Sequence, residues 1–272
     1  MGTLYIVPTP IGNLEDITLR ALRVLGEVAL IAAEDTRTTG NLLRHYGIKT
    51  PLTSYHEHNK LTKLDVILTA LQSGDVALVS DAGTPGLSDP GYELIRAVIE
   101  RGFPIVPLPG PTALIPALVS SGLPADSFVY LGFLPRRAGA RRALLESICH
   151  EPRTLALYEA PHRLLETLAD LRAILGPRQI TVARELTKLH EEIWRGTLDE
   201  ALAYFGRETP RGEITLILAG ASPAVPEAWP EERVRAALAE RLARGEPRSA
   251  AASAVAAESG WPRRRVYDLK VE

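Results

Sequence analysis

The feature that most constrains the fold is an apolar run of strand length that breaks into a small-residue loop and resumes as an amphipathic helix. It occupies residues 76–95, VALVSDAGTPGLSDPGYELI. Residues 76–79 are short and apolar enough for a buried strand. Residues 80–91 are turn formers, and Leu94, Ile95, Val98 and Ile99 then share one helical face. In an open α/β sheet, ligands bind where a strand's carboxyl end passes into such a loop. Glycine there lets main-chain groups approach a ligand closely. The loop has neither G-x-G-x-x-G nor G-x-x-x-x-G-K-[ST], so it is not an ordinary nucleotide-phosphate cradle. By composition it reads equally as a plain connection or a ligand loop; its length and its acidic pair, Asp81 and Asp89, favour the ligand.

The same alternation runs through the chain. Strands are expected at 3–7, 28–32 and 105–108, with helices at about 18–25, around Leu42 and Leu43, and at about 60–71. The fold class is α/β: a parallel-rich sheet covered on both faces. The turn Pro109-Gly110-Pro111-Thr112-Ala113 marks a boundary, with Pro111 suited to a helix's first turn. An N-terminal α/β domain is therefore placed at 1–110 and a second at 111–222. The second has strands at 128–131, 154–158, 180–183, 193–196 and 213–218, the last buried on both faces. Residues 133–142 read as a loop holding Arg136, Arg137, Arg141 and Arg142 with no acid. Residues 223–272 form a linker and a helical extension whose last helix opens with Arg263, Arg264 and Arg265. Three short helices with a glycine-containing turn have the outline of a helix-turn-helix unit, or of a helical dimerisation cap with a solvated arginine face.

Composition excludes several classes. Net charge is −2, so no global field recruits nucleic acid and any basic surface is local. One cysteine, Cys149, rules out an internal disulfide and a Cys-rich metal site. His56 and His58 are the only neighbouring histidines, and no metal is expected. The first ten residues lack a basic n-region, and no apolar stretch nears the roughly 20 residues that span a bilayer, so a cytoplasmic protein without a membrane segment is expected. H-E-x-x-H, G-x-S-x-G and a Walker lysine are absent. What remains is a cleft between two lobes, suited to a small polar cofactor held by main chain and a polyanion held by arginine.

The segments PTPIGNLEDITLRAL, AAEDTRTT, YHEHN, VSDAGTPGLSDPGY, PLPGPTAL, GFLPRR, YEAPHRLLETL, VARELTKLHEE and GEITLIL occur in this order. Together they resemble the tetrapyrrole methylase superfamily, and within it the ribosomal RNA methyltransferases of the small subunit, from Thr3 to about Leu218 with a similar helical extension beyond. The resemblance implies two α/β domains, S-adenosylmethionine between them, a homodimer, and methyl transfer to a cytidine ribose 2′-hydroxyl in the decoding region of the small subunit's 16S rRNA. It places Pro10, Ile11, Asp81, Ala82, Gly83, Thr84, Leu87, Thr112, Ala113, Glu159 and Leu186 at the cofactor. In porphyrin-modifying members the central loop carries a G-D-P-type sequence; here Ser80-Asp81-Ala82 keeps only the aspartate.

Transfer to a ribose hydroxyl needs alignment with the methyl donor and a group that favours the alkoxide. Lys188 and Glu185 are the candidates, Lys188 lowering the hydroxyl's pKa and Glu185 accepting its proton; a purely structural ion pair is the other reading. Arg184 could hold a phosphate, and His56 and Glu57 are weaker base candidates. Arg136, Arg137, Arg141 and Arg142 are expected at the RNA backbone, with Arg263, Arg264 and Arg265 as a second contact. Two other functions compete: C-methylation of a corrin or porphyrin precursor, and a non-enzymatic nucleic-acid-binding ligand sensor.

Overall fold

Short apolar strands build two five-stranded sheets. The computed structural model describes residues 1–207, 210–222 and 229–270. The first sheet comes from β1 (Leu4–Ile6), α1 (Leu19–Glu27), β2 (Leu30–Ala33), α2 (Thr36–His45), β3 (Leu52–Ser54), α3 (Lys60–Ser73), β4 (Val76–Val79), α4 (Tyr92–Glu100) and β5 (Ile105–Pro107). Its order is β3-β2-β4-β1-β5, all parallel. The strand of the 76–95 segment is thus the middle one. Ala77 and Val79 pack with α1 and α2 side chains on one face, while Val76 and Leu78 pack with α3 and α4 side chains on the other. Burial on both faces is why β4 reads as an unbroken apolar run. Thr18 caps α1 and Asp35 caps α2, each accepting a first-turn backbone N–H.

The second sheet follows α5 (Leu114–Ser121). It contains β6 (Phe128–Phe133), α6 (Ala138–Ser147), β7 (Thr154–Glu159), α7 (Leu164–Leu175), β8 (Gln179–Arg184), β9 (Glu192–Thr197), α8 (Leu198–Phe205) and β10 (Ile214–Leu218). Its order is β6-β7-β10-β8-β9, and only the β6–β7 pair is parallel. The parallel-rich expectation therefore holds for the first sheet and not the second. Leu155 and Leu157 face α6, α7 and α8; Ala156 faces α5 and the loops of the first sheet.

Both sheets belong to one compact unit, Met1–Gly220, and Ala221–Glu272 forms the other. The sheets change over between β5 and α5, where the boundary at 110 was read, but they do not separate into two units. Residues 223–228 of the expected linker lie outside the described residues. The second unit packs α9 (Glu231–Ala243), α10 (Arg248–Ser259) and α11 (Arg263–Tyr267) around Val234, Leu238, Ala252, Val255, Trp261 and Val266. The Trp261 indole N–H donates to the Trp229 carbonyl at 2.8 Å. At five residues, α11 is little more than one turn, shorter than the recognition helix envisaged for it. No helix among the described residues is long and apolar enough to cross a membrane.

Candidate active site

Two loops meet at the carboxyl edge of the first sheet. Thr9, after β1, and Gly83, after β4, exchange both backbone hydrogen bonds at 2.9 Å. The Thr9 hydroxyl donates to the Ser80 carbonyl at 2.9 Å, and the Thr84 hydroxyl donates to the Pro111 carbonyl at 3.1 Å. Gly83 has φ +80°, which its lack of a Cβ makes accessible. These ties hold open a cavity of about 450 Å³. Ile11, Ala82, Gly83, Thr84 and Leu87 line it from the first lobe, and Thr112, Ala113 and Glu159 from the second; the resemblance assigns all eight to the cofactor. Pro10 and Asp81 instead line a neighbouring recess of about 290 Å³. Leu186 lies in the apolar layer shared with Ile11, Leu87 and Tyr158.

Glu159 reaches the cavity wall, but its carboxylate is already engaged. It accepts from the Ala160 N–H at 2.8 Å and the Thr167 hydroxyl at 2.5 Å, and Arg163 lies 3.4 Å away. It secures the end of β7. Lys188, Glu213 and Asp89 contribute the remaining charged groups of the lining. Lys188 Nζ donates to Glu185 Oε1 at 2.9 Å and reaches Glu213 Oε2 at 3.4 Å. Two glycines make room for this pair. A Cβ on Gly12 would lie 2.3 Å from Lys188 Cγ, and one on Gly212 would lie 2.0 Å from Glu185 Oε1.

Backbone strain gathers here. Among the described residues the non-glycine residues with positive φ are Ser88 (64°), Glu185 (52°) and Thr187 (67°). Ser88 lines the cavity, its hydroxyl 2.7 Å from the Tyr130 hydroxyl, and the other two flank Leu186 in the turn that leads into Lys188. Left-handed non-glycine residues store about 1–3 kcal/mol each and persist where surrounding structure holds them, most often at functional sites.

Electrostatics separate the carboxyls. The Lys188 hydrogen bond holds Glu185 below the usual range. Burial works against charge on Lys188, but the bond to Glu185 and the field of Glu213 keep its pKa raised. Asp89 behaves oppositely: burial, with repulsion from Glu34, Asp81 and Glu213 and only the Ser80 hydroxyl opposing, pushes it up to about 7. Burial also raises Glu34 and Asp81, which are bound to one another's loops through Asp81 N–H to Glu34 and Asp35 N–H to Asp81. His56 and Glu57 do not line the cavity; Glu57 pairs with Lys60 at 2.7 Å, and the His56 N–H donates to Asn59 Oδ1 at 2.8 Å.

The arginine cluster is partly corrected. Residues 138–142 of the expected loop fold as the first half of α6, which turns Arg141 inward onto α7. Arg141 is 3% exposed and pairs with buried Asp170 at 2.7 Å, so it is removed from the backbone-binding set. Its acid is 29 residues away in the chain, which is why the segment read as unpaired. Arg142 shares Asp170 at 2.8 Å but keeps 60% of its side chain in solvent. Arg136 and Arg137 are exposed. In the second unit, Arg263 is hydrogen-bonded to the Ser249 and Ser253 hydroxyls and Arg265 lies 4.0 Å over the Trp261 ring, while Arg264 is exposed.

Residues 3–202 match the family model for tetrapyrrole (corrin/porphyrin) methylases. The chain belongs to the tetrapyrrole methylase family. Relatives named ribosomal RNA small subunit methyltransferase I are similar over four fifths or more of this family member. The one from Synechocystis sp. is 54% identical over 100% of this chain and 98% of its own length. The one from Halalkalibacterium halodurans is 47% identical over 98% of this chain and 94% of its own length. Among solved structures, a uroporphyrin-III C-methyltransferase from Thermus thermophilus shares the methylase fold at TM-score 0.54 and 24% identity, covering 80% of this chain and 94% of its own. Another crystal of such a methyltransferase, complexed with S-adenosyl homocysteine, matches at TM-score 0.57 and 21% identity, covering 80% and 97%.

Several residues of the methylase cavity escaped the sequence reading. Phe133, Tyr158, Glu213 and Thr215 line it because β6 and β7 end there and β10 begins there. Asp89 was legible only as half of an acidic pair in a ligand-like loop. Its burial and its isolation from cations are tertiary facts.

Proposed function

We propose that this methylase transfers a methyl group from S-adenosylmethionine to the ribose 2′-hydroxyl of a cytidine in the decoding region of 16S rRNA. One observation carries the reading. The family model stops at residue 202, whereas the resemblance to ribosomal RNA small subunit methyltransferase I from Synechocystis continues through the C-terminal unit. A scaffold common to porphyrin methylases accounts for the two sheets; it does not account for an alignment, 54% identical overall, that spans the whole chain with its appended helices. The enzyme is taken to act in the cytoplasm on the small ribosomal subunit, as a homodimer.

The cavity fits the cofactor. Ile11, Leu87, Phe133 and Tyr158 offer apolar surface, Thr84, Thr112 and Thr215 with nearby main chain offer polar contacts, and Asp89 and Glu213 complement a cationic group. Lys188 is the one basic side chain in the lining, so the cavity suits a cation-bearing nucleoside better than a phosphorylated one. When bound, S-adenosylmethionine supplies an electrophilic methyl on its sulfonium. Lys188, fixed by Glu185 and seated over Gly12, steadies the negative charge that grows on the ribose oxygen. Glu185, held ionised by Lys188, is a weak proton acceptor and positions the lysine. Asp89 fits the acceptor role, because its carboxyl titrates near neutral pH within the same cavity. Arg136, Arg137 and Arg142, with Arg264 and Arg265 of the second unit, are assigned to RNA phosphates and Arg263 to the frame that carries them.

The test offers labelled S-adenosylmethionine with 16S rRNA and a porphyrin precursor in one reaction. Label in RNA alone is expected; label in the tetrapyrrole alone would overturn the assignment.

A further inference from the structure

A second, larger cavity of about 890 Å³ adjoins the cofactor cavity. The contact between the two is specific. Glu185 lines the second cavity and its ion-pair partner Lys188 lines the first; Arg211 lines the second and the next residue, Gly212, lines the first. The Glu185–Lys188 pair thus bridges the walls of the two cavities.

Four basic side chains line the larger cavity: Arg184, His190, Arg207 and Arg211. Its two acids are already neutralised. Glu192 accepts from Arg184 and, at 2.7 Å, from the Tyr204 hydroxyl, and Glu185 accepts from Lys188. Arg207 and Arg211 are exposed, and no described acid pairs with either. On a chain of net charge −2 this is a local excess of positive charge inside a concave site. Guanidinium forks match phosphate oxygens and stay charged at every physiological pH. The sequence reading singled out Arg184 as a possible phosphate holder; the fold adds Arg207 and Arg211 to the same wall.

We infer that this cavity grips the backbone phosphates of the acceptor RNA strand beside the methylated nucleotide, with Arg207 and Arg211, unpaired by any acid among the described residues, as the two grips. The inference rests on the RNA reading above and adds the binding residues. A strand anchored there delivers its neighbouring ribose to Lys188, which converts binding energy into alignment at the reacting oxygen. Arg184, tied to Glu192, shapes the wall and adds charge.

The experiment compares wild type with Arg207→Ala/Arg211→Ala, with Arg207→Lys/Arg211→Lys, and with Arg20→Ala as an exposed-arginine control. Affinity for a 16S rRNA fragment carrying the decoding region is measured across salt concentrations, beside S-adenosylmethionine affinity and single-turnover methyl transfer. The alanine pair is expected to bind the fragment at least about tenfold more weakly, with a log–log salt slope shallower by about 1.4, the loss of two single-strand phosphate contacts. Cofactor affinity should not move, the lysine pair should keep most of the slope, and Arg20→Ala should match wild type. An alanine pair with wild-type affinity and slope overturns the inference, as does a lysine pair that loses the slope as fully as alanine. Wild type that transfers no methyl to any RNA removes the reading beneath it, a failure visible before any variant is compared. Wild type that binds a carboxylate-rich tetrapyrrole through these arginines would equally refute the assignment.

Discussion

Replacing Asp89 by Asn removes a cavity carboxyl pushed up to about 7 and leaves the cavity's shape almost unchanged. Asp89 sits at about 7 because burial, then Glu34, Asp81 and Glu213, disfavour its charge. The phenols nearby do not titrate in this range, Tyr130 being pushed up to about 12 and Tyr158 raised, both chiefly by burial. The active form is the carboxylate, so methyl transfer is lost as pH falls through 7. A single group at that value is roughly one-tenth ionised at pH 6 and nine-tenths at pH 8, giving a single-turnover rate about tenfold higher at pH 8. Asp89→Asn should lower the rate by about 10²–10⁴ and flatten the remaining profile. S-adenosylmethionine affinity should stay within about threefold of wild type. Stability moves the other way. Asp89 has its folded pKa raised from 3.8, so its contribution is fully present below that value and is lost as pH climbs through 7. The linkage bound is about 4 kcal/mol, reduced to roughly 2 by water reaching a half-buried carboxyl. Asp89→Asn should therefore melt higher than wild type at pH 8 and equally at pH 4. A wild-type rate that is flat between pH 6 and 8, or an Asn variant with normal turnover, would refute Asp89 as proton acceptor.

Gly12→Val would drive a side chain into Lys188, whose Cγ lies 2.3 Å from the position of even a Cβ, so single-turnover rate should fall at least about tenfold, most of it in kcat; normal kcat would detach Lys188 from catalysis. Arg141→Ala leaves the buried Asp170 carboxylate with only Arg142, and should destabilise the protein by about 3 kcal/mol in denaturant melts with the RNA salt slope unchanged; a shallower slope would return Arg141 to the RNA surface. Arg136→Glu/Arg137→Glu should weaken RNA binding and flatten its salt dependence without shifting the melting temperature, read by filter binding and calorimetry. Thr197→Ala breaks the capping box with Glu200 at the start of α8 and should destabilise by about 1 kcal/mol.

Much of the first sheet was legible because its strands are apolar runs between helices with caps and turn formers. Val76–Val79 and the loop after it were placed in full, and that loop does line the cavity. The short strand Leu52–Ser54 escaped notice, since three half-buried residues leave no periodic signal. The first half of α6, residues 138–142, reads as loop because arginines and glycine obscure its apolar face, and Arg141 goes with it. The antiparallel pairing of β10 with β7 and β8 could not be read from a buried strand, which shows no alternation to set its direction. At the site, residue types were visible and partnerships were not. Glu185 and Lys188 are legible as a pair; the fold joins them by a 2.9 Å ion pair and sets Lys188 in the cavity wall, a partnership that sequence spacing leaves open between structure and chemistry. The separation of Asp89 from Glu185 by opposite pKa shifts depends on which carboxyl finds a lysine, a property of the assembled fold.

The most direct test of the central claim is methyl transfer from labelled S-adenosylmethionine to small ribosomal subunits isolated without this modification, followed by nuclease digestion and mass mapping. Label on the ribose of one cytidine in the decoding region is the expected result. Label on a base, on many riboses, or on no RNA while the cofactor still binds would contradict the proposed reaction.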